Sequence, residues 1–148
     1  METNQPGTEF EVVSRLLRAE LSAVQTYDHV IKQVPKEEGG NNELRAIQQR
    51  HRGAIESLRT QFGASSADVG DANVWENLEA VATSGGNPLK DPMSIKALKE
   101  GEEIGLLTYE NALSRGEATQ GLGEIIREKL VPQARDNIRR LKKLLEAA

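Results

Sequence analysis

The sequence predicts an all-α protein: an antiparallel four-helix bundle, one domain over residues 8–147, with a long crossover that carries a short extra helix. Three observations predict it. Apolar residues recur at steps of three and four along four long segments, the period of a helix with one buried face. Two of the three connections are short and glycine-containing, and the third is long. The two halves of the chain also resemble each other at a fixed offset.

The first helix is expected over about residues 9–34. Its inward stripe reads Phe10, Val13, Leu17, Glu20, Val24, Tyr27, Ile31 and Val34. Thr8 and Glu11 have the spacing of a capping box, and Pro35 stops the helix. A turn follows from Lys36 to Asn41, with Gly39-Gly40 in it. Asn41 or Asn42 caps the second helix, expected over about 42–62, with Leu44, Ile47, His51, Ile55, Leu58 and Phe62 inward. Gly63 follows as a C-terminal glycine. So short a link packs the two helices antiparallel.

Residues 63–91 form the crossover. Ala64-Ser65-Ser66 opens a loop, and Asp71 to about Ala82 reads as a short helix holding Trp75, Leu78 and Val81. Trp75 is expected to anchor that helix to the bundle. Ser84 to Pro88 ends it. Asp91-Pro92 is an N-cap followed by proline at the first helical position. The third helix then runs over about 92–114, with Ile95, Leu98, Glu102, Gly105 or Leu106, Tyr109 and Leu113 inward. After a link from Gly116 to Gly123, the fourth helix covers about 122–146. It turns Ile126, Leu130, Ala134, Asn137 or Ile138, and Leu141 inward. Pro132 lies inside it and is expected to kink it.

Composition narrows the class. The 148 residues suffice for a core. There is no cysteine, so disulfides and thiolate metal sites are excluded, and a reducing cytoplasm is the expected location. The 23 acidic and 19 basic residues give a net charge of −4, which argues against a nucleic-acid or anionic-membrane partner. No apolar run approaches a membrane span, and the amino terminus has no signal-peptide pattern.

Long helices share periodicity by default, and the Glu-x6-Tyr element in both copies is the more specific part of the repeat. At an offset of 82, Leu16 meets Leu98, Glu20 meets Glu102, Thr26 meets Thr108 and Tyr27 meets Tyr109. At 83, Arg52 meets Arg135, Ile55 meets Ile138 and Leu58 meets Leu141. Two helical hairpins joined by a long crossover make the ferritin-like arrangement.

That arrangement holds metals with one Glu on each of two helices and Glu-x-x-His on the other two. Glu20 and Glu102 occupy the single-Glu positions, and His51 a His position. Gln48 stands where the second helix needs Glu, and the fourth helix offers Val131 and Ala134. Three ligands of six rule against a di-metal site. One divalent ion (iron, manganese or zinc) on Glu20, His51 and Glu102, with Gln48 or Glu103 as second choices, is one expectation. The other is a buried hydrogen-bonded cluster without metal, in which His51 is protonated between two carboxylates. Tyr27 and Tyr109, two turns beyond the carboxylates, are expected in the core with tied hydroxyls. His29 is expected at the rim, and Asn137 is expected to need partners if it faces inward.

Several stretches carry a resemblance. They are Leu16-Leu17-Arg18-Ala19-Glu20-Leu21-Ser22-Ala23-Val24 with Tyr27, the isolated His51, the Trp75 segment, Ala97-Leu98-Lys99-Glu100-Gly101-Glu102-Glu103, and Val131-Pro132-Gln133. The chain resembles the ferritin-like superfamily over residues 9–145. It looks most like a bacterial, rubrerythrin-related family of four-helix proteins that carries no agreed activity. The resemblance implies the fold. Such relatives place His where this chain has Ile104 and Asn137, which implies that part of a metal site is lost here. The leading expectation is therefore a non-catalytic bundle, with homodimerisation as its form and an accessory or stress-linked role. The alternatives are a metal-dependent redox or oxidase protein using the residual site, and a helical interaction module with the 63–91 crossover as its surface.

Overall fold

The structure is a computed structural model that describes residues 6–36, 41–63 and 74–148, and every described element is helical. The helices are α1 (Pro6–Lys32), α2 (Asn41–Phe62), α3 (Val74–Ala82), α4 (Pro92–Ser114), α5 (Gln120–Ile125) and α6 (Val131–Ala147). A 3-10 turn, Pro88–Lys90, precedes α4, and a π segment, Ile126–Leu130, joins α5 to α6. The expected Gly39-Gly40 turn, the Ala64-Ser65-Ser66 loop and the start of the crossover helix at Asp71 lie outside the described residues.

α4 is one helix over Pro92–Ser114, whereas the segment expected as a single fourth helix is divided into α5, a π segment and α6. α1 begins at Pro6, so Thr8 lies inside the helix and is not its cap. Gly63 ends α2 with φ of +63°, a conformation that costs glycine nothing. Asp91 caps α4 by accepting from the Met93 N–H at 3.0 Å, with Pro92 next. α4 closes on a Schellman motif: Gly116, at φ +69°, donates to Leu113 and Glu117 to Ala112.

Pro132 brings a π turn with it. The Val131 N–H bonds the Ile126 carbonyl, five residues back, which adds a residue to the turn before the proline. The extra residue slips the buried face by one position. Leu130 and Val131 are both buried in consequence, and the buried row continues through Ala134, Asn137 and Leu141.

Cross-helix contacts fix the directions. Gln48 reaches the Val24 carbonyl while His51 reaches Glu20, so α1 and α2 run antiparallel. Tyr27 meets Glu102 and Tyr109 meets Glu20, so α1 and α4 are antiparallel too. α4 opposes α6 through Glu102–Asn137 and Glu110–Arg135. α2 and α4 therefore run in the same direction, and only a long connection can join them. α3 rides on α1 and α4, tied by Glu79 to Thr26 (3.1 Å) and to the exposed His29 (2.6 Å).

The apolar interior has two parts. One gathers Val13, Leu17, Leu58, Leu122 and Ile126; the other gathers Val30, Ile47, Trp75, Ile95 and Leu98. The polar layer of Glu20, His51, Glu102 and Asn137 lies among these buried residues. One inward assignment is corrected: Phe10 is 56 % exposed.

Candidate functional site

Three helices deliver the Glu and His residues of the polar layer, one each, because each residue falls on the apolar stripe of its helix. Glu20 comes from α1, His51 from α2 and Glu102 from α4, all buried. His51 Nδ1 lies 2.6 Å from Glu20 Oε1, and His51 Nε2 lies 2.7 Å from Glu102 Oε2. Both ring nitrogens face a carboxylate oxygen. An ionised carboxylate only accepts, so with both glutamates ionised both nitrogens donate and the ring is an imidazolium.

The tyrosines complete the carboxylates by exchange. Tyr27, on the helix of Glu20, donates to Glu102 Oε2 at 2.7 Å. Tyr109, on the helix of Glu102, donates to Glu20 Oε2. The sequence repeat at offset 82 thus appears as a reciprocal pair of bonds about a local two-fold relation. His51 breaks that symmetry, since the matching residue on α6 is Ala134.

Asn137 gives Glu102 a further donor at 3.3 Å, and its own carbonyl accepts from Arg50 at 3.0 Å. Arg50 also pairs with Asp136 at 2.5 Å. The amide thereby links an outer guanidinium to the inner carboxylate. Arg50 is absent from the sequence reading, because its distance to α6 has no periodic signature. Trp75 closes the layer on the α3 side, 5.9 Å from the Tyr27 ring and 6.2 Å from His51. Gly101 makes room for it: a Cβ there would stand 2.5 Å from the indole.

Electrostatics follow from this packing. Burial pulls His51 toward its neutral form, but Glu102 and then Glu20 outweigh it and hold the imidazole pKa well above its usual value. Burial pushes Glu102 upward; the charge and bond of His51, then the bonds of Tyr27 and Asn137, outweigh that and hold it below the usual range. Burial first, then the facing carboxylates, raise both phenols, so each tyrosine remains a donor.

The second-choice ligands are placed elsewhere. Gln48 is buried but spends its amide on the Val24 carbonyl at 3.0 Å. Glu103 is exposed and pairs with Lys99 at 2.7 Å. Among the described residues, no group of three His, Cys, Asp or Glu is arranged to hold a metal ion. Beside the layer lies a cavity of about 30 Å³ between α1, α2, α4 and α6, lined by Glu20, His51, Glu102, Gln133, Ala134 and Asn137 among others. By volume it holds one or two waters or an ion.

Comparisons with protein-family models, with curated proteins and with solved structures found no match. The chemistry of the layer therefore carries the functional argument. Among the described residues, no helix is long and apolar enough to cross a membrane.

Proposed function

We propose that this chain is a ferritin-like bundle protein, of the rubrerythrin-related kind, in which a proton on His51 serves as the central cation. Its role is then accessory and non-catalytic: a helical scaffold closed by a Glu–His–Glu bridge. The observation that carries this reading is the engagement of both His51 nitrogens, at 2.6 and 2.7 Å, by carboxylates from two other helices. The parallel course of α2 and α4, with its long crossover, supports the ferritin-like assignment. Elemental analysis of protein purified without chelator or immobilised nickel tests it. The reading expects traces of metal that do not rise on incubation with iron(II), manganese(II) or zinc(II). Near-stoichiometric metal would overturn it.

A second reading is favoured by the cavity beside the three donors. Two carboxylates and an imidazole suit iron, manganese or zinc, and Glu20, His51 and Glu102 would hold one such ion. The fit is incomplete, because His51 must give up one carboxylate and its proton. The fourth helix offers only the amides of Asn137 and Gln133. Trp75 is only 4 % exposed, which counts against an apolar docking patch centred on it.

A further inference from the structure

Charge is divided between two sides of the molecule. α2 and α6 are linked by Arg50–Asp136 and Arg140–Glu43. They form the side opposite α1 and α4, which α3 covers. Residues 41–63 and 120–148, which contain α2, α5 and α6, hold 11 basic and 6 acidic side chains, a net +5 with histidine neutral. Residues 74–119, which contain α3 and α4, hold 4 basic and 8 acidic side chains; Glu102 is buried, which leaves a net −3 outside the core. Residues 6–36, with α1, hold 4 of each and balance.

The basic side has an ordered component. Arg45, Arg52 and Arg59 recur every seven residues along α2 and are all exposed. Seven residues rise about 10.5 Å and make nearly two full turns, so the three guanidiniums form one row. None of them forms an ion pair among the described residues, whereas Arg15, Arg135, Arg139 and Arg140 all do. On the opposite side Glu76 and Glu100 are exposed and form no ion pair among the described residues; the exposed Lys90, Lys96 and Arg115 form none either, so the acidic excess belongs to the side as a whole.

We propose that the arginine row of α2 docks on the acidic α3/α4 side of a second copy of this chain. The charge complementarity lies within one sequence. A polyanion is a poorer partner, because the whole chain carries −4 and its acidic side repels nucleic acid or anionic lipid. The two docked faces differ, so the contact is heterologous and leaves a free face of each kind.

Sedimentation velocity of the full chain tests this at ionic strengths of about 0.01 M and 0.15 M, where the screening length is roughly 30 and 8 Å. The expected result is concentration-dependent association at low salt, weakened at least about tenfold at the higher salt. Arg45→Glu/Arg52→Glu/Arg59→Glu sediments as a monomer at both salts with unchanged helical circular dichroism. Glu76→Lys/Glu100→Lys does the same, and a mixture of the two variants associates again. A wild-type monomer at low salt overturns the proposal, as does association that survives the arginine reversals. Salt-sensitive binding of duplex DNA or anionic vesicles by a chain that stays monomeric alone also overturns it, in favour of a polyanion.

Discussion

Glu20 and Glu102 stand on opposite sides of one imidazole, 2.6 and 2.7 Å from its two nitrogens. Each is also held by the tyrosine of the other's helix. His51 is thus the only cation in a ring of buried acceptors and donors, and the stability of the polar layer depends on its proton.

Removing that cation should be costly. His51→Leu leaves two buried carboxylates facing an apolar side chain, and breaking a buried pair from one side costs about 3–5 kcal/mol. Urea denaturation near neutral pH should show a loss of that order. The triple change Glu20→Gln/His51→Leu/Glu102→Gln removes all three charges together and should lose less than His51→Leu alone.

The cluster sets a pH window. The folded pKa of His51 is raised, so its contribution is full below the unfolded value of about 6.5 and is lost as pH rises through the folded value. The folded pKa of Glu102 is lowered, so its contribution is present above about 4.3 and is lost as pH falls through the folded value. Stability from the cluster is greatest between roughly pH 4.3 and 6.5. Urea midpoints across pH should fall on the alkaline side in the wild type, and that fall should be absent from His51→Leu.

The exchanged tyrosines should behave alike. Tyr27→Phe and Tyr109→Phe each remove one donor from a buried carboxylate, a loss of about 1.5–3 kcal/mol for a bond to a charged group. A double-mutant cycle between Tyr27→Phe and Glu102→Gln should show coupling of the same order. Near-additive behaviour would deny the bond.

Gly101→Ala should displace Trp75. A Cβ at 2.5 Å from the indole cannot be accommodated without movement, and overpacking of this kind costs about 1–3 kcal/mol. Tryptophan fluorescence should shift to the red as the ring gains solvent. An unshifted spectrum at full stability would mean that the indole lies elsewhere.

The helical repeat was legible because buried faces recur at 3.6 residues, and Glu20, His51 and Glu102 interrupt otherwise apolar stripes. Asn137 was legible for the same reason. The division of labour among polar groups was not. Gln48 and Glu103 neighbour the site in sequence, yet one bonds a backbone carbonyl and the other faces solvent. Their direction depends on rotamer and on the neighbouring helix, which periodicity does not encode. Phe10 obeys the period yet is 56 % exposed, because periodicity marks a face and not whether anything packs on it. The π turn at Ile126–Leu130 was signalled by Pro132 only as a disturbance, and its effect, burying Leu130 and Val131 together, required the packed structure.

The most direct measurement is nitrogen-15 NMR of the His51 ring across pH, with and without added iron(II), manganese(II) or zinc(II). The proton-bridge account predicts two protonated ring nitrogens that persist well above the ordinary histidine range and are unchanged by metal. One unprotonated nitrogen near neutral pH, or a ring signal lost or shifted by one equivalent of metal, would contradict it and return Glu20, His51 and Glu102 to the role of ligands.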